Sequence, residues 1–152
     1  MGISWGLDYV WGVPVIVLTV VIHAYGLGWL NSVFRSAMTG AVRLRNLPAS
    51  SGIIVGGTVL SVIILHGLEC AIWAGAYCYL GALLSIKAAM LYSLNAMTSY
   101  GHENVNLAPS WQMMGALESL DGWILFGLTT AFLFTVIQSV WSHREPRLSN
   151  PR

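Results

Sequence analysis

Three long stretches of the chain contain no charged residue, and this feature limits what the chain can fold into. The stretches are residues 9–34, 46–68 and 122–143, of 26, 23 and 22 residues. About 20 apolar residues in a helix span the hydrocarbon core of a bilayer. Each stretch is long enough to cross a membrane, so the sequence predicts an all-α membrane protein with three transmembrane helices.

The composition argues against the soluble classes of protein. Only 9% of the 152 residues are charged, against roughly 25% in a soluble domain, and 56% are hydrophobic. The net charge of +1 is too small to indicate a nucleic-acid partner. The sequence also lacks the motifs of nucleophile elbows, zinc proteases, phosphate loops and dinucleotide sites. We therefore expect no enzyme, no cofactor and no nucleic-acid binding, with the lipid bilayer as the partner.

The chain divides into three parts. Residues 1–51 are predicted to hold the first span, from about 13 to 30 with Pro14 in its first turn, and a cytoplasmic loop. A segment at 47–52 is predicted to break the chain before the second span. Residues 52–142 form a predicted pore domain with spans at about 52–79 and 120–141, and residues 143–152 form a polar tail.

The basic residues predict the orientation in the membrane. Three arginines follow the first span and three follow the third, whereas Lys87 is the only other basic residue. Loops rich in Lys and Arg stay in the cytoplasm. We therefore expect a multi-pass protein of the cell membrane with its N-terminus outside and its C-terminus in the cytoplasm.

This orientation makes segment 80–119 begin and end on the outer side. Two crossings would need about 40 apolar residues, whereas only 80–97 is mainly apolar. The sequence predicts a re-entrant helix at about 83–97 and a polar strand that returns through 98–110. Irregular backbone at membrane depth must be buried in protein or line a water-filled cavity. The alternative is an amphipathic surface helix followed by an exposed outer loop.

The order of outer helix, re-entrant helix, Tyr-Gly strand and inner helix resembles the pore module of the potassium channel family, and small prokaryotic ion channel domain proteins in particular. The resemblance covers residues 65–141, about half of the chain. It implies a homotetramer around a central axis that passively conducts potassium or another monovalent cation. The segments that carry it are 65–69 with Trp73 in the outer helix, 89–93 in the pore helix, and 107–111, 116–118 and 125–131 leading into the inner helix.

The resemblance also implies the position of the selectivity filter. The family's filter reads Thr-Val-Gly-Tyr-Gly-Asp or Thr-Leu-Gly-Tyr-Gly-Asp, and only its Tyr-Gly pair is retained in this chain. A Cβ where the family has its first glycine opposes left-handed backbone conformations. Three outcomes stay open: a wider and less selective pore, a different permeant ion, or a collapsed filter that conducts nothing. The predicted filter residues are Met97, Thr98, Ser99, Tyr100, Gly101 and His102.

Titratable residues flank this predicted filter. In a tetramer, His102 and Glu103 would form a ring at the outer mouth that senses pH or binds a divalent ion; the alternative is a solvated pair in an exposed loop. Glu118 is predicted at the outer mouth as well, where acidic rings concentrate cations. For Asp121 we favour placement at a helix N-terminus, where an acidic side chain is stabilised.

The third span contains two candidates for gating or pore lining. Gly127 lies where the family places a gating hinge, although a glycine in a membrane helix also permits close packing. Thr130, like its neighbour Thr129, is a candidate for lining the pore.

Polar residues inside the first two spans are predicted to face protein. Glu69 is costly in lipid, and His66 lies one turn earlier on the same helix face. We expect Glu69 to form a hydrogen bond inside the protein and His23 to be a packing residue with its polar atoms satisfied. Cys70 and Cys78, separated by about 12 Å of helical rise, cannot bridge each other.

These observations predict passive cation conduction through a tetrameric pore with a non-standard filter. The alternative is a channel-like membrane protein that does not conduct and has a structural or sensing role. A third hypothesis is a divalent-binding or transporter role built around His102, Glu103 and Glu69.

Overall fold

The computed structural model describes residues 5–43, 47–101 and 105–142, with no side-chain detail for residues 42–43 and 47–50. All regular secondary structure in this part of the chain is helical, which confirms the predicted all-α class. The long helices are α1 (Gly6–Arg43), α2 (Leu47–Tyr79) and α4 (Gln112–Ser142). A short helix, α3 (Ile86–Met97), lies between α2 and α4 in the sequence, and a 3₁₀ turn at Pro109–Trp111 leads into α4.

Three helices are long and apolar enough to cross a membrane, as predicted. The segments are Gly6–Ala41, Ser51–Tyr79 and Pro109–Ser142. At 1.5 Å of rise per residue, α1 is about 57 Å long, which exceeds the roughly 30 Å of a bilayer's hydrocarbon core. Helices of this length tilt in the bilayer or extend into the aqueous phase.

The helices are longer than predicted at several ends. α1 begins at Gly6, so Pro14 lies inside the helix and not in its first turn. The predicted break at 47–52 is wrong, because α2 begins at Leu47. Its proline is the second helical residue, where a missing N–H costs no helical hydrogen bond. α4 begins at Gln112, eight residues before the predicted start of the third span.

Helix α3 is shorter than the predicted 83–97 by three residues, and one face of it is buried. Ala89, Tyr92, Ser93 and Ala96 form this buried face. Their positions repeat every three or four residues, which places them on one side of a helix. Ala89, Tyr92 and Ala96 belong to an apolar cluster that α2 and α4 complete with Trp73, Ala74, Tyr77 and Met114.

The chain enters and leaves the α3 segment at the same end of the helix bundle. Two residues after α2, Gly81 has a left-handed conformation (φ +68°), and the N–H of Ala82 donates to the carbonyl of Tyr77 at 2.9 Å. After α3 the chain returns, and the N–H of Ala108 donates to the carbonyl of Ala82 at 3.2 Å. The described part of the return segment contains no β-strand.

The far end of α3 lies deep along its two neighbours. The Cys70 thiol of α2 is 3.2 Å from the sulfur of Met97. On α4, a Cβ at Gly122 would lie only 2.8 Å from the Cα of Met97. Because glycine has no side chain, the backbone of α3 approaches α4 directly at this point. A separate apolar cluster, which includes Leu27, Phe34, Val62 and Val136, joins α1, α2 and α4 farther along the bundle.

Candidate functional site

The predicted filter residues begin at the last residue of α3 and continue as its C-terminal cap. The N–H of Tyr100 donates to the carbonyl of Asn95 and the N–H of Ser99 to that of Ala96, both at 3.0 Å. Together with a left-handed Ser99 (φ +55°), these bonds form a Schellman motif. Ser99 therefore occupies the position that glycine usually takes at such an end, despite its Cβ.

The side chains at this helix end are mostly exposed in the isolated chain. Thr98, Ser99, Tyr100 and Gly101 are exposed, whereas Met97 is half-buried. The hydroxyl of Thr98 donates back to the carbonyl of Leu94 at 2.7 Å. Gly101 also has a left-handed φ of +104°. The next two predicted residues, His102 and Glu103, lie outside the described residues.

A pocket of about 560 Å³ opens beside the end of α3. Three predicted filter residues, Met97, Thr98 and Ser99, contribute to its wall, together with His66 and Cys70 of α2. On the opposite side, the indole of Trp123 in α4 donates to the Ser99 hydroxyl at 3.1 Å. The pocket therefore connects the predicted filter with the polar residues of the bundle interior.

The predicted inner-helix residues lie on different faces of α4. Gly127 and Thr130 are exposed on the side that faces away from the bundle interior. A Cβ at Gly127 would have no neighbour within 4 Å, so close packing inside this chain does not require glycine there. Thr129 does not line an exposed face, because its side chain is buried and its hydroxyl binds two histidines.

Glu118 is fully buried and binds neighbouring helices, so its carboxyl does not face an open mouth within this chain. The hydroxyl of Tyr77 in α2 donates to Glu118 Oε2 at 2.5 Å. The hydroxyl of Ser93 in α3 contacts Glu118 Oε1 and also lies 2.9 Å from the carbonyl oxygen of Cys70. Ser93 has one hydroxyl proton, so both contacts are hydrogen bonds when Glu118 itself carries a proton and donates it to Ser93.

Asp121 lies nine residues inside α4 and not at a helix N-terminus. Its Oδ2 accepts hydrogen bonds from the Thr19 hydroxyl of α1 at 2.7 Å and from the Trp73 indole of α2 at 2.9 Å. Its Oδ1 is buried without a hydrogen-bond partner. Donors from two other helices offset the cost of burying this carboxylate in the bundle interior.

Glu69 and two histidines form the second polar group of the interior. Nδ1 of His23 lies 2.8 Å from Glu69 Oε1, and Nδ1 of His66 lies 3.2 Å from Glu69 Oε2. The Thr129 hydroxyl of α4 lies 3.0 Å from Nε2 of His23 and 3.1 Å from Nε2 of His66. The predicted hydrogen bonding of Glu69 inside the protein is confirmed, and both nitrogens of His23 have partners. We call these four residues the histidine cluster.

Every acidic residue in the described part of the chain is buried. Asp8, at the start of α1, accepts a hydrogen bond from the backbone N–H of Met114 at 3.1 Å. This carboxylate therefore caps the first turn of α4, where free N–H groups and the helix dipole favour a negative charge. The outer surface of the spans is correspondingly apolar, as a lipid-facing surface requires.

Tyr92 connects α3 with the start of α4. Burial raises the pKa of Tyr92 to about 12, so its phenol stays protonated at neutral pH. A Cβ at Gly115 would overlap the Tyr92 hydroxyl. Gly115 therefore provides the space into which this side chain packs.

The sequence interpretation did not identify the hydrogen-bond donors of the interior. Thr19, Trp73 and Tyr77 each donate a hydroxyl or an indole N–H to a buried carboxyl group, and the Ser93 hydroxyl also contacts one. Polar side chains inside otherwise apolar helices are a sequence signal for these partners, because buried carboxyl groups require hydrogen bonds. The sequence does not show which donor meets which carboxyl group.

No protein-family model, curated protein or solved structure matches this chain. Functional inference therefore depends on the residues and the geometry of the chain itself.

Proposed function

We propose that this protein is a cation channel that conducts monovalent cations passively through a tetrameric pore. The observation that carries the proposal is the course of the chain between α2 and α4. The backbone bond between Ala82 and Ala108 joins the two ends of the excursion, whereas α3 between them extends to Gly122. A segment that enters and leaves at one end of a membrane bundle supports the proposal of a re-entrant pore loop.

The depth of α3 along its neighbours supports this proposal. Gly122 lies ten residues after the start of α4 and Cys70 nine residues before the end of α2. At 1.5 Å per residue, both positions are about 14–15 Å from those ends. Half the hydrocarbon thickness of a bilayer is about 15 Å. This depth supports a helix α3 that descends from one membrane surface toward the bilayer centre.

The direction of α3 supports the choice of a cation. The C-terminus of a helix carries partial negative charge from its free carbonyl groups. In a tetramer, four α3 helices would point these ends toward the axis and stabilise a cation there. The exposed Thr98 and Ser99 add hydroxyl groups at the same place.

A tetramer also gives a role to the exposed face of α4. Trp123 and Phe126 are more than 60% exposed in the single chain, and Gly127 and Thr130 lie on the same side of the helix. We assign this face to the contacts between subunits and to the wall of the pore. One chain cannot enclose the pore, so assembly is part of the proposed function.

The experiment is ion flux into liposomes that contain the purified protein, with potassium, sodium and calcium compared across a range of pH. We expect flux of monovalent cations and particles of four chains by native mass spectrometry. Absence of flux for every ion at every pH would reject conduction and favour the non-conducting structural or sensing role.

A triple variant tests whether 97–102 is the filter. Met97→Thr, Ser99→Gly and His102→Asp together restore the family's residue types, so the preference for potassium over sodium should increase. The matched control makes the same changes elsewhere: Met113→Thr, Ser142→Gly and His143→Asp. Equal selectivity in the two triple variants contradicts the proposed position of the filter.

A further inference from the structure

We propose that the histidine cluster is a binding site for one divalent transition-metal ion, with His23, His66 and Glu69 as ligands. Among the described residues these three form a group whose potential ligand atoms all lie within 4.8 Å of one another. The site is separate from the predicted filter, and the proposal does not depend on ion conduction. Two helices supply the ligands, His23 from α1 and the other two from α2.

The ligand atoms already face one another. Both Nδ1 atoms point at the Glu69 carboxylate, at 2.8 Å for His23 and 3.2 Å for His66. Ligands at about 2.0–2.1 Å from a tetrahedral zinc ion are about 3.3 Å apart. Small side-chain movements would therefore admit an ion between the two imidazoles and the carboxylate, with a fourth coordination position left for water.

Thr129 provides the outer support that metal-bound histidines require. A histidine that binds a metal through one nitrogen usually donates the N–H of its other nitrogen to a fixed acceptor. The Thr129 oxygen lies 3.0 and 3.1 Å from the two Nε2 atoms. With both Nδ1 atoms on the metal, both Nε2–H groups donate to this single oxygen, which has two lone pairs.

Two buried carboxylates in this part of the interior have few hydrogen bonds for their charge. Glu69 Oε2 has only the 3.2 Å contact with His66 Nδ1, and Asp121 Oδ1 has no hydrogen-bond partner. Asp121 binds Thr19 and Trp73, which lie about one helical turn from His23 and from Glu69. A divalent cation together with these two carboxylates is neutral overall, which lowers the cost of burying the charges.

The cluster has a path to the outside. The side chain of His66 is 31% exposed, whereas His23 and Glu69 are fully buried. His66 lines the 560 Å³ pocket at the end of α3. An ion can therefore reach the ligands past the edge of the His66 ring.

The ligand types define the class of ion. Imidazole nitrogens with one carboxylate suit zinc, iron(II) and similar first-row ions, whereas calcium and magnesium prefer sites made of oxygen atoms alone. The other possible occupant is a single proton, which would pair Glu69 with one imidazolium. The experiment separates these two occupants.

The test uses the full-length protein in detergent, freed of metal and titrated with zinc chloride and with cobalt(II) chloride. We expect one ion per chain, visible-region absorption from four- or five-coordinate cobalt, and zinc X-ray absorption with two imidazoles in the ligand shell. Calcium chloride should not compete. Absence of zinc binding by the wild-type protein would overturn the metal site and leave the proton as the occupant.

Variants identify the ligands. Zinc binding should be lost in Glu69→Gln and in His23→Gln, and Thr129→Val should weaken it about 10–100-fold because the imidazoles lose their support. The control is the double variant His102→Gln and His143→Gln, which removes the other two histidines and should bind zinc normally. Loss of zinc binding in that control would overturn the assignment of His23, His66 and Glu69 as ligands. A zinc ligand shell without imidazole in the wild type would overturn it as well, and this measurement does not depend on whether a cluster variant folds.

Discussion

At the scale of the residue, burial of acidic side chains defines the interior of this protein. Glu118 illustrates how such a side chain is accommodated, because its neighbours provide a complete set of hydrogen bonds. Tyr77 donates to one oxygen. When the other oxygen carries a proton, it can donate to the Ser93 hydroxyl, which is then free to donate to the carbonyl of Cys70. These hydrogen bonds form together only when the Glu118 carboxyl group carries a proton. The protonated form also has the smaller cost of burial.

This arrangement predicts that Glu118→Gln folds nearly as well as the wild type. The amide can donate to Ser93 and accept from Tyr77 in the same geometry, so the free energy of unfolding should change by less than about 1 kcal/mol. Glu118→Ala removes both bonds and should cost about 1–3 kcal/mol or more. Unfolding in detergent measured by circular dichroism compares them, and equal destabilisation of the two variants would contradict a protonated Glu118.

At the scale of the element, α2 and α3 were predicted well and α1 and α4 less well. The predicted starts of the second span and of the re-entrant helix lie within five residues of those observed, because a long uncharged or mainly apolar stretch marks each of them in the sequence. The predicted start of the third span at 120 places Glu118 and Asp121 at a solvent-exposed helix end. They lie inside α4, where donors from other helices stabilise them. Such partners are separated by 25 to 102 residues in sequence, so no local pattern reveals them.

The contact between α3 and α4 predicts different effects for two glycines. Gly122→Ala places a Cβ against the backbone of Met97, which cannot rotate away as a side chain can. We expect a loss of about 1–3 kcal/mol from overpacking. The control is Gly28→Ala in α1, where the Cβ meets no atom within 4 Å and which lies outside the α4 face assigned to subunit contacts. It should leave stability unchanged or raise it by up to about 1 kcal/mol. Thermal unfolding of the two variants in one detergent is the measurement, and equal midpoints would contradict the close approach of α3.

At the scale of the whole molecule, three helices are long and apolar enough to span a membrane, and an odd number of crossings would put residues 5 and 142 on opposite sides. Trp5 lies just before α1, on the side that the basic residues predict to be outside. The same end of the bundle holds the start of α4 through the bond between Asp8 and Met114. Both ends of the α3 excursion are therefore expected at the outer surface.

Cysteine labelling tests this orientation. In a Cys70→Ala and Cys78→Ala background, Trp5→Cys should react with a membrane-impermeant thiol reagent on intact cells. Ser149→Cys should react only after the membrane is opened. The reverse pattern would contradict the predicted orientation and would place the α3 excursion on the cytoplasmic side.

The order along the chain of the buried hydrogen-bond partners also affects how the helices insert into the membrane during synthesis. A ribosome delivers α1 first and α4 last, and an unpaired acidic residue at the centre of an entering helix costs about 2.5–3.5 kcal/mol. Glu69 of α2 meets His23 of the earlier α1. Asp121 of α4 meets Thr19 and Trp73, and Glu118 meets Tyr77 and Ser93, all of them synthesised before α4. Each later helix thus enters a membrane that already contains its hydrogen-bond partners. Because synthesis proceeds from the N-terminus, these partners are made before the helix whose acidic residue binds them.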